Sequence, residues 1–303
     1  MTNKDDLNQL LISVIRQLIA VIILLLVGLL IMPVIFYNSE SISNLFKSKP
    51  KAITIDSVAI RSVVIFEETT FWTPQDINTL TEIKHKKLLE YGKDLIMHTA
   101  KYIGPKGSVL QISNGMNCQN CHLEAGTKVY GNNYGSVASM YPKFRARSGK
   151  VEGIYKRVND CIERSLNGKS LDTLGHEMQA ITAYIEFIGG NVEKGKKAKG
   201  SGFKDLAFLE RSAEPLKGKL VYNDKCLSCH QADGLGLMNA DGIEFIYPAL
   251  WGNKSYNDGA GIHRLSNFAK YTKYNMPFGV THTSTQLTAV SYTHLTLPTN
   301  REV

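Results

Sequence analysis

Two pentapeptides of one pattern hold the residues best suited to chemistry in this chain, Cys118-Gln119-Asn120-Cys121-His122 and Cys226-Leu227-Ser228-Cys229-His230. Cysteines three positions apart share a face of a helical turn, and the histidine that follows lies on that face too. Two thiols can therefore bond the edge of a haem while the imidazole binds its iron. Each pentapeptide predicts a covalent c-type haem site.

A lone Cys-x-x-Cys also occurs in thioredoxin-like dithiols and as half of many zinc sites. Here a histidine follows directly both times, and no second Cys-x-x-Cys or His-x-x-x-His lies near enough in the sequence to complete a tetrahedral zinc site. The spacing therefore favours two covalently bound haem c groups over zinc or a dithiol.

A fifth cysteine, Cys161, is left over once both pentapeptides are accounted for. We predict a helix over 151–166 with Cys161 on its apolar face, so the thiol is expected to point inward towards a haem. Arg157 and Arg164 are its neighbours on the helix surface. A buried structural cysteine is the ordinary alternative. The apolar positions of this helix are Val151, Ile154, Val158, Ile162 and Leu166.

The second site needs a further iron ligand beside His230. We choose Met276, because Asn275-Met276-Pro277 lies in a polar, turn-rich segment of the kind in which small cytochromes c present a methionine sulfur. Met238 is the local competitor. A methionine on a helical stripe, such as Met178, is more often part of a core.

The first site needs a partner for His122, and no Met-Pro pair lies between His122 and residue 190. Cys161 is our candidate, with His98 and His176 as rivals. Methionine raises the potential of a haem, whereas an anionic thiolate lowers it. The two haems would then differ in potential, which gives electron flow a direction.

Residues 18–37 form an uncharged run long enough to cross a hydrocarbon core as a helix. No clear small-x-small cleavage site follows, which favours an uncleaved signal anchor over a removed signal peptide. Attachment of haem c resembles a process of the bacterial periplasmic face. We therefore expect a periplasmic protein anchored to the inner membrane, with a cleaved soluble form as the alternative. The net charge of +8 is by itself no sign of nucleic acid, and we expect none as a partner.

A chain of 303 residues allows one or two domains, and two haem motifs favour two. We predict a mainly α protein with two cytochrome c-like haem domains in tandem behind an N-terminal transmembrane helix. The predicted order is a cytoplasmic N-terminus (1–17), the transmembrane signal anchor (18–37), an extension (38–72), a first cytochrome c domain (73–190), a linker (191–212), a second cytochrome c domain (213–290) and a tail (291–303). We call the two domains the first and second modules.

Local patterns predict further elements. A helix is expected from Thr73 towards Tyr102 with a weak point at Gly92, and a possible strand over 57–66. Ser170 can cap a helix whose apolar stripe is Leu171, Leu174, Met178, Ile181, Ile185 and Ile188. The glycine- and lysine-rich stretch after residue 190 is typical of a solvated linker.

A Tyr-Pro pair follows each pentapeptide at nearly the same distance, as Tyr141-Pro142 and Tyr247-Pro248. This repeat indicates a duplicated haem-binding unit. Such a proline can offer its carbonyl to the N–H of the iron-binding histidine, or it can simply form a turn. Both interpretations stay open at the level of the sequence.

Several longer motifs resemble the dihaem cytochrome c thiosulfate dehydrogenases, and together they span roughly residues 85–283. In the first module they are Gly115–Thr127, Tyr141–Gly149 and Arg157–Gly168; in the second they are Tyr247–Gly252, Ser255–Gly261 and Asn275–Gly279. The resemblance implies oxidation of two thiosulfate ions to tetrathionate with release of two electrons, or the reverse reaction.

The resemblance also implies that the first haem, with His122 and Cys161 on its iron, is the active site. The second, with His230 and Met276, would relay electrons to a periplasmic or membrane electron carrier. Some relatives have a lysine beside this methionine that can itself bind iron. Asn275 stands there in this chain, so we expect a more steadily high potential.

Two thiosulfate dianions held close together need cations. Arg145, Arg147, Arg157 and Arg164 are the candidates, because a guanidinium presents paired donors to sulfonate oxygens. Some of these arginines are expected to neutralise haem propionates instead. Cys161 is the candidate catalytic thiolate, which would leave the metal or form a transient persulfide-like adduct.

Two other functions use the same haems. One is a dihaem electron-transfer cytochrome without a substrate of its own. The other is a sulfur-carrier cytochrome of a thiosulfate-oxidising complex, which needs a partner protein for turnover.

Residues 291–303 do not fit the pattern of the family. They are rich in threonine, contain Pro298 and show no helical stripe. They resemble read-through of a sequencing adapter or a frameshift, and we expect this tail to be non-native and poorly packed.

Overall fold

The computed structural model of the chain describes residues 4–37, 70–207 and 214–288. The chain divides into two compact units, residues 1–65 and 66–303. The described residues are mainly helical, as the sequence predicts, and they also form two short antiparallel hairpins that the sequence analysis did not predict. The possible strand over 57–66, most of the extension and the tail over 291–303 lie outside the described residues.

The described residues of the first unit form a long helix, α1 (Lys4–Tyr37). Its most apolar window, Ile12–Leu29, has a mean hydropathy of 2.6 and is long enough to cross a membrane. The helix begins well before the predicted span over 18–37, because the polar N-terminal residues are helix formers as well.

The second unit carries both pentapeptides. Its helices are α2 (Ile83–Met97), α3 (Thr99–Ile103), α4 (Leu123–Gly126), α5 (Val137–Met140), α6 (Ile154–Ser165), α7 (His176–Gly189), α8 (Pro215–Lys225), α9 (Leu227–His230) and α10 (Leu265–Asn275). Its strands are β1 (Lys143–Arg145), β2 (Lys150–Glu152), β3 (Leu237–Met238) and β4 (Phe245–Tyr247), and β1 pairs with β2 and β3 with β4. Single 3-10 turns cover Ile77–Thr79, Cys118–Asn120 and Gly261–His263.

The helix predicted from Thr73 begins only at Ile83. Asp76 caps the preceding 3-10 turn instead, since its Oδ1 accepts the N–H of Asn78 at 2.9 Å. The helix breaks at His98, between α2 and α3, and not at Gly92. Gly92 lies where α2 packs on α7: a Cβ at this position would come within 2.1 Å of the carbonyl oxygen of Ala180. Gly92 is therefore required by close helix packing.

The helix that carries Cys161 is shorter than predicted. α6 begins at Ile154, and Val151 lies in β2 with 68% of its surface exposed. The hairpin of β1 and β2 takes Val151 out of the helix because its backbone pairs with Phe144. The remaining predicted stripe is buried as expected and consists of Ile154, Val158, Ile162 and Leu166.

The next helix, α7, begins at His176, so the predicted cap at Ser170 is wrong. Ser170 donates its hydroxyl to Glu163 instead, and Leu174 lies in the preceding turn with 85% of its surface exposed. The rest of the stripe packs in the core of the first module, as predicted. Its buried members are Leu171, Met178, Ile181, Ile185 and Ile188.

The stretch predicted to be a solvated linker packs along the first module. The amides of Tyr130 and Asn132 donate to the carbonyls of Gly200, at 2.8 Å, and Gly202, at 3.1 Å. The Ser139 hydroxyl donates to the carbonyl of Lys196 at 2.7 Å. The lysine side chains of this stretch are largely exposed, but its backbone is held by the module.

The two modules contact each other directly. Asn257 donates from its amide to the carbonyl of Arg164 and from its side chain to the carbonyl of Glu163, both at 2.9 Å, so it caps the C-terminal end of α6. Asn114 donates to the carbonyl of Ser255 at 3.0 Å. The described residues of both modules lie in one compact unit. The division into two cytochrome c domains stays a prediction.

The end of the second module has no helix in its described part. Residues 281–288, which include Gln286, are irregular. Leu287 is nevertheless buried in a small cluster with Ala269 of α10, and Val221 of α8 packs against this cluster. The cluster joins two helices of the second module.

Candidate haem-binding sites

The first pentapeptide is held in its turn by the residue before it. The Asn117 amide donates to the side chain of Asn120 at 2.7 Å, and the Asn117 side chain accepts the amide of Ala100 at 2.8 Å. The Cys118 amide donates to the Thr99 hydroxyl at 2.9 Å. The motif is thereby fixed to the start of α3.

His122 presents one ring nitrogen for a ligand. Its Nδ1 lies 2.6 Å from the carbonyl oxygen of Asn132, to which it donates, and its ring stacks on Tyr134 with centroids 4.5 Å apart. Burial lowers the pKa of His122 to about 4, although the Asn132 hydrogen bond opposes the shift. The ring is therefore neutral, and Nε2 keeps a lone pair for a metal.

The sequence did not single out Asn132 and Tyr134, although both lie in the motif Tyr130-Gly131-Asn132-Asn133-Tyr134-Gly135. Asn132 takes a left-handed backbone conformation with φ of 58°, which aims its carbonyl at the imidazole. The cluster of asparagine and glycine residues in this motif is the sequence feature that could have indicated such a turn, because these residue types tolerate positive φ.

Cys161 lies in the same site as the first pentapeptide. It interacts electrostatically with both Cys118 and Cys121, and with Arg157 one turn earlier on α6. Its side chain is partly exposed. The structure therefore brings together the three sulfur atoms that the sequence assigns to the first site.

The four candidate arginines differ in their partners. Arg164 forms an ion pair with the buried Asp160 at 3.2 Å, and Arg147 donates to the carbonyl of Gly259 at 2.9 Å. In the described part of the chain, the side chains of Arg145 and Arg157 make no hydrogen bond or ion pair. Cys161 raises the pKa of Arg157 above its ordinary value. Arg157 is thus the candidate arginine that lies near Cys161 without an ion pair to a described acid.

The rival ligands of the first site are engaged elsewhere. Nδ1 of His98 lies 3.3 Å from both carboxylate oxygens of Glu244. His176 stacks on Tyr91 with ring centroids 5.1 Å apart. Met178 is fully buried in the core, where its sulfur accepts the hydroxyl of Thr182 at 3.7 Å.

Helix α9 forms the last four residues of the second pentapeptide. Nδ1 of His230 donates to the carbonyl of Pro248 at 2.8 Å, so of the two interpretations of the Tyr-Pro pair the carbonyl role holds in the second module. It does not hold for Pro142, because Asn132 supplies the carbonyl for His122. Burial lowers the pKa of His230 and raises that of Cys226 to about 11. Cys229 lies beside Cys226 in the same turn.

Met276 follows directly after α10. It packs in a small apolar cluster with Leu123, Ile262 and Tyr271. Its competitor Met238 lies in β3 and is directed elsewhere: its methyl group lies near Gly115 and Phe245, against the core of the first module. Of the two methionines, Met276 is the one placed in the apolar cluster beside α10.

The residues of both sites fit haem c. Burial raises the pKa of Cys118 to about 11 and of Cys121 to about 12, the opposite of the shift that activates a redox dithiol. The described residues contain no cluster of three or more His, Cys, Asp or Glu side chains arranged to hold a metal ion, as zinc would need. Both histidines offer Nε2, and α8 exposes Leu216 and Leu220, apolar surface of the kind a porphyrin covers.

A helical chain with two partly buried thiols and an oriented histidine in each of two motifs defines a c-type cytochrome. In agreement, residues 110–191 match the SoxA/TsdA cytochrome c domain family, whose cofactor is covalently bound haem c. The chain is 34% identical to the thiosulfate dehydrogenase of Psychrobacter arcticus over 74% of this chain and 67% of that protein. It is 32% identical to the enzyme of Stutzerimonas stutzeri over 70% and 66%.

A solved structure is similar as well. The "as isolated" form of the thiosulfate dehydrogenase TsdBA from Marichromatium purpuratum has a TM-score of 0.68 and 26% identity, over 75% of this chain and 48% of that one. The chain belongs to the thiosulfate dehydrogenase family. It spans about two thirds of these curated relatives and just under half of the solved chain.

Proposed function

We propose that this protein interconverts thiosulfate and tetrathionate at a first haem site formed by Cys118, Cys121, His122 and Cys161. The relatives' names support the substrate. The observation that carries the proposal is the position of Arg157, a guanidinium one helical turn before Cys161 that forms no ion pair with a described acid. An electron carrier without a substrate has no need of such a charge.

A second haem at Cys226, Cys229, His230 and Met276 relays electrons to a periplasmic or membrane carrier. Haem c at each site supplies one-electron redox chemistry at iron. The protein supplies a neutral imidazole in each case, fixed by the carbonyl of Asn132 or Pro248. The apolar helix α1 supports anchoring to the inner membrane, with the haem sites on the periplasmic side.

The residues of the first site suit a reaction between two dianions. A bond forms between the two terminal sulfur atoms, two electrons leave, and no proton moves. Each pair of unit charges 4 Å apart repels by about 4 kcal/mol at an effective dielectric of about 20. Arg157 is the cation best placed to offset this repulsion, since Arg164 is paired with Asp160, whereas Arg157 interacts with Cys161 and forms no ion pair with a described acid. Arg145 and Arg147 form no ion pair with a described acid either and are further candidates.

The test is an assay of the purified, haem-loaded full chain in both directions. Thiosulfate with ferricyanide should give tetrathionate, and tetrathionate with a reduced dye should give thiosulfate. Absence of reaction in both directions would indicate an electron-transfer cytochrome without a substrate of its own. Reaction only after addition of a partner protein would indicate a sulfur-carrier cytochrome.

A further inference from the structure

The segment that holds Met276 is fastened to the first haem motif. Four contacts reach from residues 271–280 to residues 120–130, on both sides of the methionine. Tyr271 donates its hydroxyl to the carbonyl of Asn120 at 2.6 Å, and the Asn275 side chain donates to the carbonyl of Tyr130 at 3.2 Å. Lys128 donates to the carbonyl of Val280 at 2.9 Å, and Leu123 packs with Met276 in one cluster.

Tyr271 is the anchor whose partner lies inside the first pentapeptide. It lies on α10 five residues before Met276, is 7% exposed, and packs edge-on against Phe203 with ring centroids 6.0 Å apart. Its hydroxyl partner, Asn120, is inside the first pentapeptide, and Tyr271 also interacts electrostatically with Cys121. One hydrogen bond therefore connects the first haem attachment to the helix that leads to the methionine.

We infer that Tyr271 is a positioning residue of the electron relay, which holds the Met276 segment in place by hydrogen bonding to the first haem motif. The inference rests on the proposed function, in which Met276 binds the second iron. Loss of one of the contacts from the first module should therefore weaken the hold on the methionine. The buried hydroxyl of Tyr271 has no other described partner, so removing this hydroxyl removes only the hydrogen bond to Asn120.

The test compares Tyr271→Phe with Tyr274→Phe in the haem-loaded protein. Both changes remove one hydroxyl from α10, but Tyr274 donates to the carbonyl of Asp205 at 3.4 Å and not to the first motif. Imidazole is titrated as a competitor for the second haem. Its binding is followed by loss of the charge-transfer absorption of methionine-bound ferric haem, and the potentials of both haems are measured.

In Tyr271→Phe we expect imidazole to bind the second haem about five-fold more tightly. This factor corresponds to the free energy of one neutral hydrogen bond, which no longer holds the Met276 segment in place. The potential of the second haem should fall, while the first-haem spectrum and the unfolding midpoint match those of Tyr274→Phe. Equal imidazole affinity in the two variants overturns the inference.

A second variant guards against failure of Tyr271→Phe to fold. Lys128→Met removes the anchor on the other side of Met276 and should shift imidazole affinity in the same direction. No shift in Lys128→Met would count against the inference. An inactive wild-type protein that still shows the Tyr271 effect would refute the proposed reaction and leave the positioning role standing.

Discussion

His122 and Asn132 are joined by a hydrogen bond of 2.6 Å from Nδ1 to the backbone carbonyl, whereas the equivalent histidine of the second module uses Pro248 at 2.8 Å. Both bonds fix the same tautomer and turn Nε2 towards the metal position. The two pentapeptides therefore present their histidines in the same way, although different segments orient them.

The first of these carbonyls depends on a left-handed residue. Asn132→Val should misplace the carbonyl, because a β-branched residue at positive φ costs about 1–2 kcal/mol or more. We expect a lower free energy of unfolding and a heterogeneous first-haem spectrum. Asn132→Gly is the matched control and should keep a wild-type spectrum, since glycine occupies this region freely. Identical spectra for the two variants would show that the Asn132 turn does not orient His122.

Cys161 is the residue on which the proposed reaction depends. Cys161→Gly should abolish turnover of thiosulfate while both haems stay attached, as measured by haem content per chain. Cys161→Met should raise the potential of the first haem, because thioether replaces an anionic ligand. Near-normal activity of the glycine variant would show that Cys161 is not needed for the reaction. An unchanged potential of the methionine variant would show that Cys161 is not a ligand of the first iron.

Arg157 should contribute to binding the anionic substrate. Arg157→Gln is expected to lower kcat/KM for thiosulfate by roughly ten- to hundred-fold, the range of a charge-assisted hydrogen bond. Arg157→Lys should recover part of this loss, because it keeps the charge but not the paired donors. Arg264→Gln removes an exposed arginine of the second module and serves as the control. Equal kcat/KM in Arg157→Gln and Arg264→Gln would contradict the assignment.

Gly92 should be intolerant of any side chain. A Cβ at this position would overlap the carbonyl of Ala180, so Gly92→Ala should separate α2 from α7 and cost about 1–3 kcal/mol of unfolding free energy. Gly261→Ala is the control, since a Cβ there meets nothing within 4 Å. Denaturant unfolding of both variants gives the comparison, and equal midpoints would show that the helices can adjust.

The sequence by itself determined the parts of this protein that rest on local spacing. The two pentapeptides, the apolar face of α6 and the long apolar helix α1 all follow from neighbours along the chain. The placement of Cys161 beside Cys118 and Cys121 was also foreseeable, because helical periodicity predicts which face is inward.

Only the tertiary structure decided the partners that come from distant segments. The carbonyl for His122, the pairing of Arg164 with Asp160, and the crossing of α2 and α7 at Gly92 each depend on how remote parts of the chain pack. The same holds for the link from Tyr271 to Asn120, which joins two modules that the sequence separates. Spacing and periodicity describe only short stretches, whereas a hydrogen bond or close contact between remote residues is selected by the packed fold as a whole.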